Sequence, residues 1–320
     1  MKVSVVVPTR NRPKKLEATL ASLAEQEELH PQDYELIVVD DGSIPAVRLA
    51  WDPDLDAPSL TLERLEGAGP SVARNRGAAR ARGELLVFVD DDIQVSRTFL
   101  ASHWHAHLEA PGALQMGFVC LPDKVRATPF GRFRQDLEHN GFPQVAGPVS
   151  SPALLIAANM AVERATFERL GGFDPALTTG EDQDMGLRHA EQGGSVVYVP
   201  AAKGVHDDDS LTVGAYSQRA ERYMEDLVRF GIRHPGRADT VERAAVNGPV
   251  QWRHEPASLS IKKLLKSILI LPPMRALALA LTRVLETVAP KGRFLDNLYR
   301  ALLGAHLQRG YRRGLRSESA

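Results

Sequence analysis

The sequence predicts an α/β domain with a mostly parallel sheet flanked by helices, followed by a helical carboxyl-terminal extension. Three observations carry this: continuous apolar runs that break abruptly into acidic residues, helical patterns between those runs, and a change to helical, then Leu-rich basic segments from about residue 215. Strands that are apolar on both faces and alternate with helices imply parallel pairing.

Val3 to Val7 is apolar and β-branched throughout, as in a buried strand, and Leu16, Leu20 and Leu23 then recur at helical spacing behind Pro13. Leu36 to Val39 repeats the buried-strand pattern. Leu60 to Leu65 alternates, a helix starts near Pro70, and Leu85 to Val89 is a further buried strand. Beyond these, Ala153 to Ala161 is apolar, Glu163 to Leu170 reads as helix, Gly171-Gly172 turns the chain, Glu181 to Gln192 is helical and Val196 to Val199 is a last strand.

From about Ala215 the pattern is helical, with Tyr216, Tyr223, Leu227 and Phe230 near one face and a break around His234-Pro235. Residues 235 to 257 read as a linker, and the tail from Leu259 as basic Leu-rich helices. The expected division is a domain over 1–215 and a helical extension over 216–320.

The 320 residues carry a net charge of −1, but residues 258 to 320 hold +9, leaving −10 for the remainder. Little aromatic interleaving in that basic tail argues against nucleic-acid binding. Its longest apolar stretch, around Leu264 to Ala289, is interrupted by Lys266, Pro272, Pro273, Arg275 and Arg283, which argues against a membrane span. A peripheral contact with an anionic membrane, a lid on the first domain and a homodimer contact are the three readings of this tail. The single cysteine, Cys120, and an amino-terminal apolar run too short for a signal peptide lead to the expectation of a cytoplasmic protein, at the inner face of the membrane if the tail binds lipid.

Two strands end in acid, at Asp40-Asp41-Gly42-Ser43 and at Asp90-Asp91-Asp92, on the carboxyl edge where open α/β sheets bind ligands. Adjacent carboxylates resist full ionisation unless neutralised, and a divalent cation, magnesium or manganese, suits oxygen-only ligands. A solvated acidic loop is the alternative. The first cluster reads either as a tight turn or as a nucleoside contact, through Asp41. Gly67 to Gly77 leads into a helix whose amino end, with Arg74, meets an anion or is simply capped. Glu181 and Asp182 open a helix where acids also serve as caps, yet a transfer reaction needs one such carboxylate as base. His206, before Asp207-Asp208-Asp209, is a metal ligand or a surface residue. His103, His105 and His107 alternate along a helix and are discounted as a site.

Taken in order, VSVVVPTRNRP, VVDDGS, GPSVARNRG, FVDDD, and GGFDP followed by GEDQD resemble family 2 glycosyltransferases of the GT-A fold, over about residues 2 to 215. The resemblance implies an inverting, non-processive enzyme that binds a nucleotide-diphosphate sugar with Mn2+ or Mg2+ through a D-x-D motif. By that likeness Pro8, Thr9 and Arg10 line the nucleotide pocket, Asp41 contacts the base, and Arg74 sits close to the nucleotide. Asp90 faces the ribose and metal, Asp91 adjoins them, Asp92 is the principal metal ligand, and His206 lies near metal and diphosphate. Asp182 matches the catalytic base, with Glu181 beside it. The acceptor is a carbohydrate, a lipid-linked hydroxyl or a small molecule. The competing readings are a sugar nucleotidyltransferase, whose Gly-rich phosphate loop is replaced here by Pro8-Thr9-Arg10-Asn11-Arg12-Pro13, and a non-catalytic nucleotide-sugar-binding protein.

Overall fold

The computed structural model describes residues 1–51, 57–139, 146–149, 151–177, 179–208, 212–233 and 245–317. The chain forms two compact units, Met1–Pro122 with His139–Asp208, and Asp123–Glu138 with Asp209–Ala320. The expected boundary at 215/216 falls inside the helix Val213–Arg233, and residues 123–138 group with the second unit rather than the first.

The first unit is built on a sheet of β1 (Val3–Thr9), β2 (Tyr34–Asp41), β3 (Ser59–Leu65), β4 (Leu85–Val89), β5 (Ile93–Val95), β6 (Leu114–Cys120), β7 (Gly147–Pro148), β8 (Asn159–Glu163) and β9 (Val196–His206). Its order is β3-β2-β1-β4-β8-β6-β9-β5, with β7 also on β9. The first four strands run parallel, as the apolar runs require, while β8 lies antiparallel between β4 and β6. Neighbouring β1 and β2 stay in register up to Thr9 opposite Asp40, so their acidic and basic ends emerge side by side.

Alternation along each strand feeds two cores. Val3, Val5 and Val7 pack with Leu16, Leu20 and Leu23 of the helix Pro13–Ala24, whereas Val6 turns to the other face beside Phe88, Met160 and Met116. Each such aliphatic side chain contributes about 1.5–3 kcal/mol on burial, so a register slip would be costly. On the helix Phe99–Glu109, two of the three histidines turn into the core and His105 faces solvent. His103 is buried, with Nδ1 at 2.9 Å from Gln115 Oε1 and Nε2 at 2.9 Å from Asn159 Oδ1, and His107 is buried beside Glu84. Four residues apart, they share one face. Burial lowers the proton affinity of His103, which is a core residue.

The second unit is helical, with Asp123–Arg126, Pro129–Glu138, Val213–Arg233, Ala257–Leu269, Pro272–Val288 and Arg293–Ser317. Phe130, Phe133, Leu295, Tyr299 and Leu302 form its main core. The long helices Val213–Arg233 and Arg293–Ser317 approach closely at Gly310, where an added Cβ would run into the Glu221 carbonyl oxygen. Of the expected linker, and of the break at His234-Pro235, residues 234–244 lie outside the described residues; Ala245–Asn247 is a single 3-10 turn and Pro256 leads into the next helix. Among the described residues no single helix is long and apolar enough to cross a membrane, and the pair Ala257–Leu269 and Pro272–Val288 meets that test only together, bent by 93° at its break.

Candidate active site

An open pocket of about 370 Å³ lies over the carboxyl ends of β1, β2 and β4. Pro8, Thr9, Arg10, Asp41, Arg74, Asp90 and Asp91, all expected at the site, line it together with Arg12. Parallel pairing in register is what gathers residues this distant in sequence at one edge.

The two aspartates at the end of β2 divide their tasks. Asp40 accepts hydrogen bonds from the backbone N–H groups of Ser43 (2.8 Å) and Val47 (3.1 Å) and pairs with Arg64. Burial opposes its ionisation, but these bonds together with the Ser43 side chain and Arg64 hold its proton affinity below the usual carboxylate range. Asp41 accepts from Ala68 N (2.6 Å) and Gly69 N (2.9 Å), with Arg10 at 4.0 Å, so it ties the Gly67–Gly69 loop to the pocket wall. The tight turn expected here is formed, and Asp41 also lines the pocket with both carboxylate oxygens engaged by the loop. Gly42 has φ of 78°, and a Cβ there would lie 2.8 Å from Gly67 N. Only glycine fits that close approach without strain.

The aspartate run after β4 is neutralised in part by the chain itself. Arg12 Nη1 donates to Asp91 Oδ1 (3.1 Å) and to Asp92 Oδ2 (2.9 Å), and Thr9 Oγ1 donates to Asp91 Oδ2 (2.6 Å). Burial nevertheless raises the Asp91 proton affinity, against the Thr9 and Arg12 contacts. Asp92 behaves oppositely. Burial disfavours its charge, but His206, Arg12 and Lys15 outweigh this and lower its proton affinity. Sequence reasoning assigned no role to Arg12 or Lys15; their signal was the positive charge directly after β1, on the edge that carries the acids.

His206 reaches Asp92 because β5 pairs antiparallel with the end of β9, setting Ile93 opposite His206, and Asp207 N donates to Asp92 O (2.7 Å). His206 Nε2 then stands 3.3 Å from Asp92 Oδ2. Asp208 is buried and Asp209 lies outside the described residues. Asp90 is turned elsewhere, accepting from Arg74 Nη2 at 2.7 Å. Among the described residues no group of three or more His, Cys, Asp and Glu side chains converges as a metal site. The Asp92–His206 pair is nonetheless a suitable donor set for a divalent cation that takes its other ligands from a diphosphate, since such ions commonly use one or two carboxylates plus phosphate oxygens.

Arg74 links this edge to the helix Glu181–Glu191. Its Nη1 lies 2.5 Å from Glu181 Oε1 and its guanidinium 5.7 Å from the centre of the Phe173 ring. Flanking carboxylates keep Arg74 fully charged despite its burial. Behind Glu181, Asp182 accepts from Ala157 N (2.9 Å) through Oδ2 and from Gln183 N (2.8 Å) through Oδ1. Burial, reinforced by the Glu181 charge, pushes Asp182 up to about 7. A carboxylate tuned so close to neutrality is a competent proton acceptor. Glu181 is instead an ion-pair partner of Arg74.

The sequence matches the Glycosyl transferase family 2 over residues 4–141 and the Glycosyl transferase family group 2 over residues 85–285. It is 26% identical over 238 residues to the pre-mycofactocin glycosyltransferase of Mycobacterium tuberculosis, covering 73% of this chain and 48% of that protein. It is 28% identical over 263 residues to the validoxylamine A glucosyltransferase of Streptomyces hygroscopicus subsp. limoneus, covering 73% and 57%. The chain thus spans about half the length of these curated relatives. In structure it resembles the mannosyltransferase PcManGT from Pyrobaculum calidifontis, solved with GDP-Man and Mn2+, with a TM-score of 0.59 at 20% identity, covering 96% of this chain and 86% of that one. S. aureus TarS 1-349 superposes with a TM-score of 0.52 at 18% identity over 99% and 92%. These likenesses establish the GT-A fold of mixed α/β character with helices at the carboxyl end.

Proposed function

The chain belongs to glycosyl transferase family 2, and on that premise we propose that it transfers a sugar from a nucleoside diphosphate to an acceptor hydroxyl with inversion, Asp182 acting as general base. The observation that supports this is the Arg74 bridge, which joins Asp90 in the pocket to Glu181 beside Asp182, so that a donor bound in the pocket and Asp182 as base would be linked through one guanidinium.

In this reading the nucleoside lies against Pro8, Thr9, Arg10 and the loop held by Asp41, and the diphosphate lies toward Asp92, His206 and Arg12. That a structural neighbour was solved with GDP-Man and Mn2+ supports a nucleotide sugar and a divalent metal as ligands. Asp92 and His206 would hold the cation, which when bound would stabilise the charge on the departing diphosphate, while Asp90 is held by Arg74. Asp182 takes the acceptor proton, the freed oxygen bonds to the anomeric carbon from the face opposite the diphosphate, and the carbon–phosphate-oxygen bond breaks with its electron pair going to the leaving group. A single displacement inverts the anomeric centre. The acceptor is a glycan, a lipid-linked hydroxyl or a small molecule, and the single buried cysteine suits a reducing, cytoplasmic setting.

The test is a thermal-shift screen against UDP-, GDP-, dTDP- and CDP-sugars with and without manganese. A ligand that binds only the folded state raises the apparent stability. A metal-dependent rise with one nucleotide family is expected, and identical melting curves throughout would remove the proposal.

A further inference from the structure

In the helical unit, two consecutive helices turn apolar side chains outward at helical spacing. On Ala257–Leu269, Ile261, Leu264, Leu265 and Ile268 are 41–56% exposed; on Pro272–Val288, Leu277, Leu281, Val284 and Val288 are 38–71% exposed. The helices meet the rest of their unit through other residues, Ser260 and Lys263 on the first and Ala278 and Thr282 on the second, all buried. Paired apolar stripes of this length are larger than the scattered apolar contacts of an ordinary soluble surface.

Charge distinguishes the occupants of such a face. Of the seven Lys/Arg in residues 257–293, Lys263 is buried against Glu255 and Lys266 is partly buried on Asn247, which leaves Lys262, Arg283, Lys291 and Arg293 exposed and Arg275 half-buried; the one acid of the stretch, Glu286, accepts a hydrogen bond from the Tyr299 hydroxyl (2.7 Å). Lys262 and Arg283 are exposed beside the stripes. A two-fold contact with a second copy would set this positive rim against itself, whereas an anionic bilayer matches both the apolar stripe and the charge. Helices of 13 and 17 residues bent by 93° also suit a position in the plane of the interface better than a crossing, which needs about 20 apolar residues in line.

We infer that the exposed apolar face of Ala257–Leu269 and Pro272–Val288, with its basic rim, is a docking surface for an anionic lipid bilayer. The proposed transfer would then take place beside the membrane, where a lipid-linked acceptor resides. The surface itself is tested without donor or acceptor, so its failure leaves the transfer reading standing.

The experiment is flotation of the full chain with phosphatidylcholine vesicles and with vesicles that also contain phosphatidylglycerol. The protein is expected to float with the anionic vesicles, weakly with the neutral ones, and to be released by high salt. Leu265→Glu/Leu277→Glu should weaken binding on the order of a hundredfold, with circular dichroism and melting unchanged because both side chains are exposed. Lys262→Gln/Arg283→Gln should reduce binding to anionic vesicles by about tenfold or more and leave neutral vesicles unaffected. No flotation with either vesicle overturns the inference. So does dimerisation by light scattering that the leucine variant abolishes without vesicle binding, which assigns the face to a second copy, and so does resistance to alkaline carbonate extraction, which assigns a span.

Discussion

Arg74 and Glu181 form an ion pair of 2.5 Å between side chains that are 6% and 9% exposed, and the same guanidinium holds Asp90. Removing one member of a buried pair leaves a charge without a partner, which costs about 3–5 kcal/mol. Arg74→Ala should therefore lower stability by that order in urea unfolding. Combining it with Glu181→Gln should recover a substantial part, because the uncompensated charge is then gone. An Arg74→Ala loss no larger than that of an exposed arginine would show that the pair is not formed.

Asp182→Asn separates the base from the binding site. Transfer should be lost while the metal-dependent thermal shift with the nucleotide survives. The sign of the stability effect is also defined. Asp182 rises from its ordinary 3.8 to about 7 in the folded protein, so the fold favours the protonated form, and stability is lost as pH rises between those values. Asparagine cannot ionise and escapes that loss. Its melting temperature should equal that of the wild type near pH 3 and exceed it at pH 8.

The same proton affinity predicts the pH dependence of turnover. With Asp182 as the proposed base, only its ionised form could take the acceptor proton, so kcat/KM should fall about tenfold per pH unit on the acid side of about 7. A profile flat from pH 5 to 8 would assign the base elsewhere.

His206 is expected to matter through the cation. Because it stands 3.3 Å from Asp92, both His206→Ala and Asp92→Asn should abolish the manganese-dependent part of the nucleotide thermal shift. Thr9→Val is the contrast. It unpairs Asp91 Oδ2 and should cost about 1–3 kcal/mol of stability, read by urea unfolding.

Gly42→Ala tests the turn beneath the pocket. At φ of 78° a side chain is strained, and its Cβ would stand 2.8 Å from Gly67 N in the loop that Asp41 holds. A loss of about 1–3 kcal/mol and weaker nucleotide binding are expected together.

What the sequence determined by itself was local. The apolar runs of β1, β2 and β4, the leucines of Pro13–Ala24 and the acid at the ends of β2 and β4 are short-range patterns, and they gave the parallel half of the sheet and the edge that carries Asp41, Asp90 and Asp91; Pro8, Thr9 and Arg10 were placed there by the family resemblance. Tertiary structure alone decided the rest. Periodicity holds no record of the antiparallel insertion of β8, or of the β5–β9 pairing that carries His206 to Asp92. Nor could it show that Arg12 answers the aspartate run or that Arg74 meets a glutamate 107 residues away, since an ion pair depends on the distance between two chain segments. The tail was legible as basic and amphipathic, but which of its apolar residues face outward is fixed by how Ser260, Lys263, Ala278 and Thr282 are buried against the rest of the helical unit.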